Sequence, residues 1–232
     1  VLGENMIGII GGSALLNTRL FPDARPKTVS TEYGKVDVLI SGKICFIQRH
    51  GKDTPPHMIN HEANIMALKK MGIKEIIAVS SVGSMKKSIK PGDLVIMDDF
   101  IQLSDIPTFF DKSIKFTAPQ LSEKLRRLLA ESARGFDCHS RGTYLQTRGP
   151  RYETKAEIQM MKNFADVVGM TIASEATLAI EQEMEYACIC SVDNYANGLS
   201  SEQISWDKIV AKQKQNVEKV KRILAVALEN MK

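Results

Sequence analysis

The sequence predicts an α/β protein, a single domain on a twisted, largely mixed central β-sheet flanked by helices. Three observations predict it. Short apolar runs at residues 6–10, 36–40, 44–47, 75–79 and 94–97 alternate with longer segments whose apolar residues recur at helical spacing. Several runs stop at glycines, hydroxyls or an Arg-His pair, as at Gly11-Gly12-Ser13, Arg49-His50-Gly51 and Ser80-Ser81. In open α/β sheets the strand ends that carry such groups face a ligand crevice. Finally, 232 residues with 44% hydrophobic and 25% charged content are enough for one sizeable core spanning 1–232.

Taken in order, residues 6–10 read as a strand, and Gly11-Gly12-Ser13 as a turn. A glycine pair lets backbone N–H groups approach an anion, and the serine adds a hydroxyl; a turn that merely needs a positive φ is the plainer account. Residues 36–40 and 44–47 flank Ser41-Gly42-Lys43 as a hairpin whose second strand ends in Arg49-His50. A guanidinium beside an imidazole suits an oxyanion, or a surface ion pair. Ile59, Ala63, Ile65, Met66, Leu68 and Met71 follow at helical spacing, with His57 and His61 one turn apart; packing or an interface explains that pair better than a metal.

Residues 75–79 read as a strand ending at Ser80-Ser81, a second anion cradle. A strand at 94–97 is followed by a long irregular segment, 98–115, and then a surface helix over 120–132. The last helix runs over 205–231, with Ser205 as N-cap and Trp206, the one tryptophan, in its first turn.

Several classes are excluded. A net charge of +4, with basic and acidic residues interspersed, makes no nucleic-acid footprint. No apolar run approaches the roughly 20 residues that span a bilayer, and residues 1–10 lack a leader pattern, so a cytoplasmic protein is expected. Cys45, Cys138, Cys188 and Cys190 are too few and scattered for a disulfide framework and are read as reduced core residues. His50, His57, His61 and Cys138 lack finger-type metal spacing, and no metal is expected.

With these pieces in place, the chain resembles the trimeric purine nucleoside phosphorylase and methylthioadenosine phosphorylase family. The resemblance rests on IGIIGGSALL at 7–16, RHG at 49–51, INHEANIMAL at 59–68, SSVGSMKKSIKPGDLVIMDDFI at 80–101, GTYLQTRGPRYETKAE at 142–157 and GMTIASEATLA at 169–179. It implies cleavage of a purine nucleoside by phosphate to the free base and a sugar 1-phosphate. No organic cofactor is implied, inorganic phosphate being a co-substrate, and a homotrimer is expected. By motif position Ser13, Arg49, His50, Ser80, Ser81 and Thr171 would hold phosphate, Met170 would lie against the ribose, and Tyr152 would cover the base. The catalytic set implied is Arg49, His50 and Asn194.

The same resemblance separates substrate classes. Adenine-type members carry aspartates at two positions where this chain has Asn194 and Ala196, while the 6-oxopurine branch uses asparagine at the first. Glu153 stands where guanine- and hypoxanthine-binding members accept from the base N1–H. Plainer roles are a helix-start carboxylate for Glu153 and a turn former for Asn194, and a one-residue slip would put Asp193 at the base. Trp206 and Ile209 stand where ordinary members use a histidine for the 5′-hydroxyl, which suits a methylthio group; burial of Trp206 in the core is the other reading. The expected substrates are inosine, guanosine and 5′-methylthioinosine. A 5′-methylthioadenosine phosphorylase and a non-catalytic nucleoside sensor are the rivals.

Overall fold

A computed structural model describes residues 6–16, 20–51 and 53–231 of the protein. Residues 1–5, on which the leader reading partly rests, lie outside them. In chain order the elements are β1 (Ile7–Gly11), β2 (Arg25–Thr31), β3 (Gly34–Ser41), β4 (Ile44–Gln48), α1 (His61–Lys70) and β5 (Glu75–Ser84). Next come β6 (Leu94–Ile96), β7 (Asp99–Gln102), α2 (Glu123–Ser132), β8 (Cys138–His139), β9 (Thr143–Gln146) and α3 (Lys155–Met161). The chain closes with β10 (Val167–Gly169), α4 (Ile172–Glu181), β11 (Glu185–Tyr195) and α5 (Trp206–Asn230).

The strands form one mixed sheet in the order β2-β3-β4-β1-β5-β10-β9-β7, with β11 beside β5 and β6, and β8 beside β6. Alternation along the central strands explains the layers, because successive side chains point to opposite faces. Ile76 and Ala78 of β5, with Tyr186 and Cys188 of β11, pack against α1 and α4 through Ala63, Leu68, Ala176 and Leu178. Ile77, Val79, Ala187 and Ile189 meet Leu125 and Leu129 of α2 and Val220 and Leu224 of α5 on the other face. Both faces of these strands are covered, which is why they read as continuous apolar runs.

Helix starts follow local chemistry. The Asn60 and Ser122 side chains accept from the N–H groups of Ala63 and Leu125, and Thr154 with Glu157 makes a capping box at α3. Each such cap contributes about 1 kcal/mol. Ser205 holds the N-cap position of α5 but makes no side-chain cap bond.

Four expectations change. The strand at 75–79 continues through Ser80 and Ser81 to Ser84, because β11 pairs with it along that whole length. The segment 98–115 contains β7, an edge strand paired to β9. β2 extends the hairpin, its residues mostly exposed and so weakly patterned. His57 lies in a 3-10 turn, Pro56–Met58, and His61 opens α1, so the two are not successive turns of one helix. The four cysteines are unbridged; Cys188 and Cys190 bring their Sγ atoms to 3.6 Å, and Cys138 is half-buried. Among the described residues no helix is long and apolar enough to cross a membrane.

One feature of the sheet places the site. β1 pairs with β5 only as far as Gly11 opposite Val79, and β10 takes up the same edge at Gly83. Residues 80–82 therefore have a strand neighbour on the β11 side alone. The chain leaves β1 through Gly12 and Ser13 and leaves β10 through Met170 and Thr171, so both exits rim that gap.

Candidate active site

The gap opens into a cavity of about 450 Å³. All thirteen residues expected to hold phosphate or nucleoside border it: Ser13, Arg49, His50, Ser80, Ser81, Tyr152, Glu153, Met170, Thr171, Asn194, Ala196, Trp206 and Ile209.

Arg49 differs from expectation. Its side chain is buried, with Nε and Nη2 donating to the two carboxylate oxygens of Glu175 at 2.5 and 2.8 Å and Nη1 to the Val79 carbonyl at 2.9 Å. The bidentate fork expected to face the oxyanion is thus closed on Glu175. Arg49 borders the cavity as a fixed cation with two N–H bonds left over. Glu175 also accepts from Tyr186 Oη at 2.8 Å and has His61 Nδ1 at 3.7 Å. Burial alone would push this carboxyl up, but the Arg49 charge and hydrogen bonds overcome it and hold the group well below the ordinary carboxylate range.

Gly12 is explained by this pair. A Cβ there would stand 2.6 Å from Arg49 Nη1 and 2.8 Å from the Val79 carbonyl, so glycine is required by close approach. Its φ of −88° is open to any residue, which removes the positive-φ account. Gly149 combines both demands, with φ of 69° and a missing Cβ whose place lies 2.4 Å from Met170 Sδ; the loop carrying Tyr152 is thereby laid against Met170.

His50 makes its Nδ1 contact with the Thr54 carbonyl at 2.9 Å, so Nδ1 carries the proton and donates. Burial, followed by the Arg49 charge, lowers its pKa, although the Thr54 bond opposes this. The ring therefore donates to an anion from Nε2 only after taking up a second proton. Ser13 Oγ lies 3.0 Å from Ser81 Oγ, and Gln213 Nε2 donates to both at 3.1 and 3.2 Å. Thr171 is buried, its N–H donating to Tyr144 Oη at 3.1 Å.

On the opposite side, Glu153 is buried and its Oε1 accepts from Thr147 Oγ1 at 2.6 Å. Thr154 and Glu157 cap α3 without it, so the helix-start role does not describe Glu153. Asn194 donates one Nδ2 proton to the Tyr195 carbonyl at 2.8 Å, leaving Oδ1 and the second N–H. Trp206 is 62% exposed, which disposes of the core-burial reading; it borders the cavity with Ile209.

A bulge brings both candidates for the base position to the cavity. Val192 pairs with Val82 and Asn194 with Gly83, leaving Asp193 between them without a partner on β5. Regular alternation would send neighbours to opposite faces, but the extra residue lets Asp193 and Asn194 both border the cavity. Asp193 is buried, and Oδ1 accepts from Ser191 Oγ at 2.6 Å. Burial pushes its carboxyl up to about 6, against the pull of Ser191, Ser81, Gln213 and Lys212.

That shift has a defined sign. A carboxyl whose folded pKa is raised binds more protons folded than unfolded, so stability falls as pH rises from about 4 to about 6 and the full penalty persists above. Asp193→Asn is expected to be more stable than the parent near neutral pH by about 2–3 kcal/mol. The advantage should vanish near pH 4 in urea titrations, and a destabilised variant at neutral pH would refute the assignment.

Sequence reading did not single out Gln213. Its signal was available, since Trp206, Ile209 and Gln213 fall at spacings of three and four on one stripe of α5.

The Phosphorylase superfamily model matches residues 6–229. The chain is 41% identical over 235 residues to a probable 6-oxopurine nucleoside phosphorylase of Archaeoglobus fulgidus, covering 97% of both chains. It is 38% identical to a probable S-methyl-5′-thioinosine phosphorylase of Methanocaldococcus jannaschii, covering 94% of this chain and 90% of that one. Among solved structures, methylthioadenosine phosphorylase from Schistosoma mansoni in complex with adenine is similar, with a TM-score of 0.88 and 27% identity, over 97% and 91% of the two chains.

Proposed function

Because the chain belongs to the phosphorylase superfamily, matched over residues 6–229, we propose that it is a phosphorolytic enzyme of 6-oxopurine nucleosides. Inosine, guanosine and 5′-methylthioinosine are its substrates, and free base and (methylthio)ribose 1-phosphate its products. The observation that carries the reading is that Glu153 and Asn194 border the same cavity as the hydroxyl, imidazole and guanidinium set. A 6-oxopurine offers a donor at N1 and acceptors at O6 and N7. Glu153 accepts from the first, and the one remaining N–H of Asn194 donates to the O6 and N7 edge.

Phosphate is placed at Ser13, Ser80, Ser81, Thr171 and protonated His50, beside the Arg49 charge. As the glycosidic bond lengthens, positive charge grows on the ribose; a phosphate held against C1′ stabilises it and attacks with inversion. The leaving purine gathers negative charge, which Asn194 relieves by hydrogen bonding. Met170 and Tyr152 hold the sugar and base, and exposed Trp206 with Ile209 makes an apolar end for the 5′ substituent. No metal or organic cofactor enters this scheme. Residues 1–232 form one domain on this reading, working in the cytoplasm as a homotrimer.

Asp193 beside Asn194 favours a second reading, 5′-methylthioadenosine phosphorylase, since a carboxyl suits a 6-aminopurine. Phosphorolysis of inosine, methylthioinosine, adenosine and methylthioadenosine, measured side by side, separates the two. The expected result is preference for the 6-oxo compounds by about 10²-fold; preference for either adenine compound would transfer the base site to Asp193. Binding without phosphate-dependent release of base would instead support the sensor.

A further inference from the structure

Asp193 stands in the wall between two cavities. The second, about 350 Å³, shares Asp193, Asn194, Ile204 and Ile209 with the first and is otherwise bordered by Pro91, Tyr195, the start of α5 and the segment before it. Asp193 is 5% exposed, and while Oδ1 is taken by Ser191, Oδ2 is buried without a hydrogen-bond partner among the described residues. Ser191 is itself held by Asn216 Nδ2 at 2.8 Å, which fixes the carboxyl in place.

After Ser191, the groups acting on this carboxyl include Ser81, which is assigned to the oxyanion, and Gln213, which is bonded to it. Ser81 and Gln213 favour its charged form, and the same two residues are joined to Ser13. Ser81 Oγ accepts from Ser13 and Gln213, so its own O–H is its one donor. No hydrogen bond carries that donor to Asp193, so it is open to a bound oxyanion.

Resting on the phosphate subsite proposed above, we infer that oxyanion binding at Ser13 and Ser81 is coupled to uptake of one proton by Asp193. The proton comes from solvent and the carboxylate becomes a neutral carboxyl. The anion places like charge in the cavity that Asp193 borders, near a buried carboxylate oxygen that has no donor of its own.

Few groups facing Asp193 oppose this. Lys212 of α5 favours the carboxylate, the Tyr152 phenol faces it from the loop, and β5 offers Ser81, a neutral group. The Arg49 charge is matched by Glu175. With the carboxyl already pushed up to about 6, a further rise on anion binding brings its protonation close to neutral pH. His50, which also borders the cavity, takes its proton separately at Nε2.

Sulfate is the suitable probe, because it stays a dianion near neutral pH whereas phosphate titrates there. Calorimetry of sulfate binding to the full chain, in buffers of different ionisation enthalpy, counts protons taken up by the parent, Asp193→Asn and His50→Gln. The parent should take up about half a proton or more per site beyond Asp193→Asn, while His50→Gln keeps that share. Without any substitution, the carbon-13 titration midpoint of the Asp193 carboxyl should rise by about one pH unit or more in saturating sulfate. Equal uptake by the parent and Asp193→Asn, or an unmoved midpoint, would overturn the coupling alone. Failure of sulfate to bind would overturn the phosphate subsite and the coupling with it.

Discussion

Glu175→Gln is expected to destabilise the protein by about 3–5 kcal/mol in urea unfolding near neutral pH. Glu175 is fully buried and carries both bonds of the Arg49 fork, the Tyr186 hydroxyl and the approach of His61. Removing its charge strands a guanidinium in a site from which water is excluded, and a lone buried cation costs far more than the intact pair contributes. Arg49→Met combined with Glu175→Leu should therefore recover most of the loss. A Glu175→Gln loss below about 1 kcal/mol would show that water reaches the pair.

Acid sharpens the test. The Glu175 pKa is depressed in the folded state, so its stabilisation is fully present above the ordinary value of 4.5 and is lost as pH falls towards about 2. The gap between parent and variant should close across that window. Glu175→Gln should also raise the KM for phosphate more than that for nucleoside, because the Arg49 cation at the phosphate side loses its anchor.

The second large effect concerns the base. Glu153→Leu is expected to lower kcat/KM for inosine by about 5- to 150-fold, with much less change for adenosine. Hypoxanthine N1–H would lose its acceptor in a dry site, whereas adenine has no hydrogen there. Asn194→Asp is expected to move the ratio further towards 6-aminopurines, since a carboxylate accepts from an amine and repels O6. Equal losses on inosine and adenosine in Glu153→Leu would reduce Glu153 to a packing role with Thr147.

These expectations trace back unevenly to the chain. The apolar runs of β1, β4, β5 and β6 and the stripe of α5 were legible because periodicity is a local property. β2 was not, since an exposed edge strand with charged and proline residues lacks the pattern. The apolar run of β5 ends at Val79 but the strand does not, because a strand stops where its neighbours stop, and β11 lies more than a hundred residues away.

Thirteen positions named from the sequence border one cavity: strand-end chemistry, which is local, points to Ser13, Arg49, His50, Ser80 and Ser81, and the family resemblance supplies the other eight. Tertiary structure decided what each is free to do. The Arg49 fork is spent on Glu175, 126 residues along the chain, and Gln213 joins Ser13 across 200. At Asp193-Asn194 a choice between two registers became a bulge that presents both side chains. Hydrogen-bond valences are few and are filled by whatever folding brings near, and that pairing is a long-range property which no local pattern records.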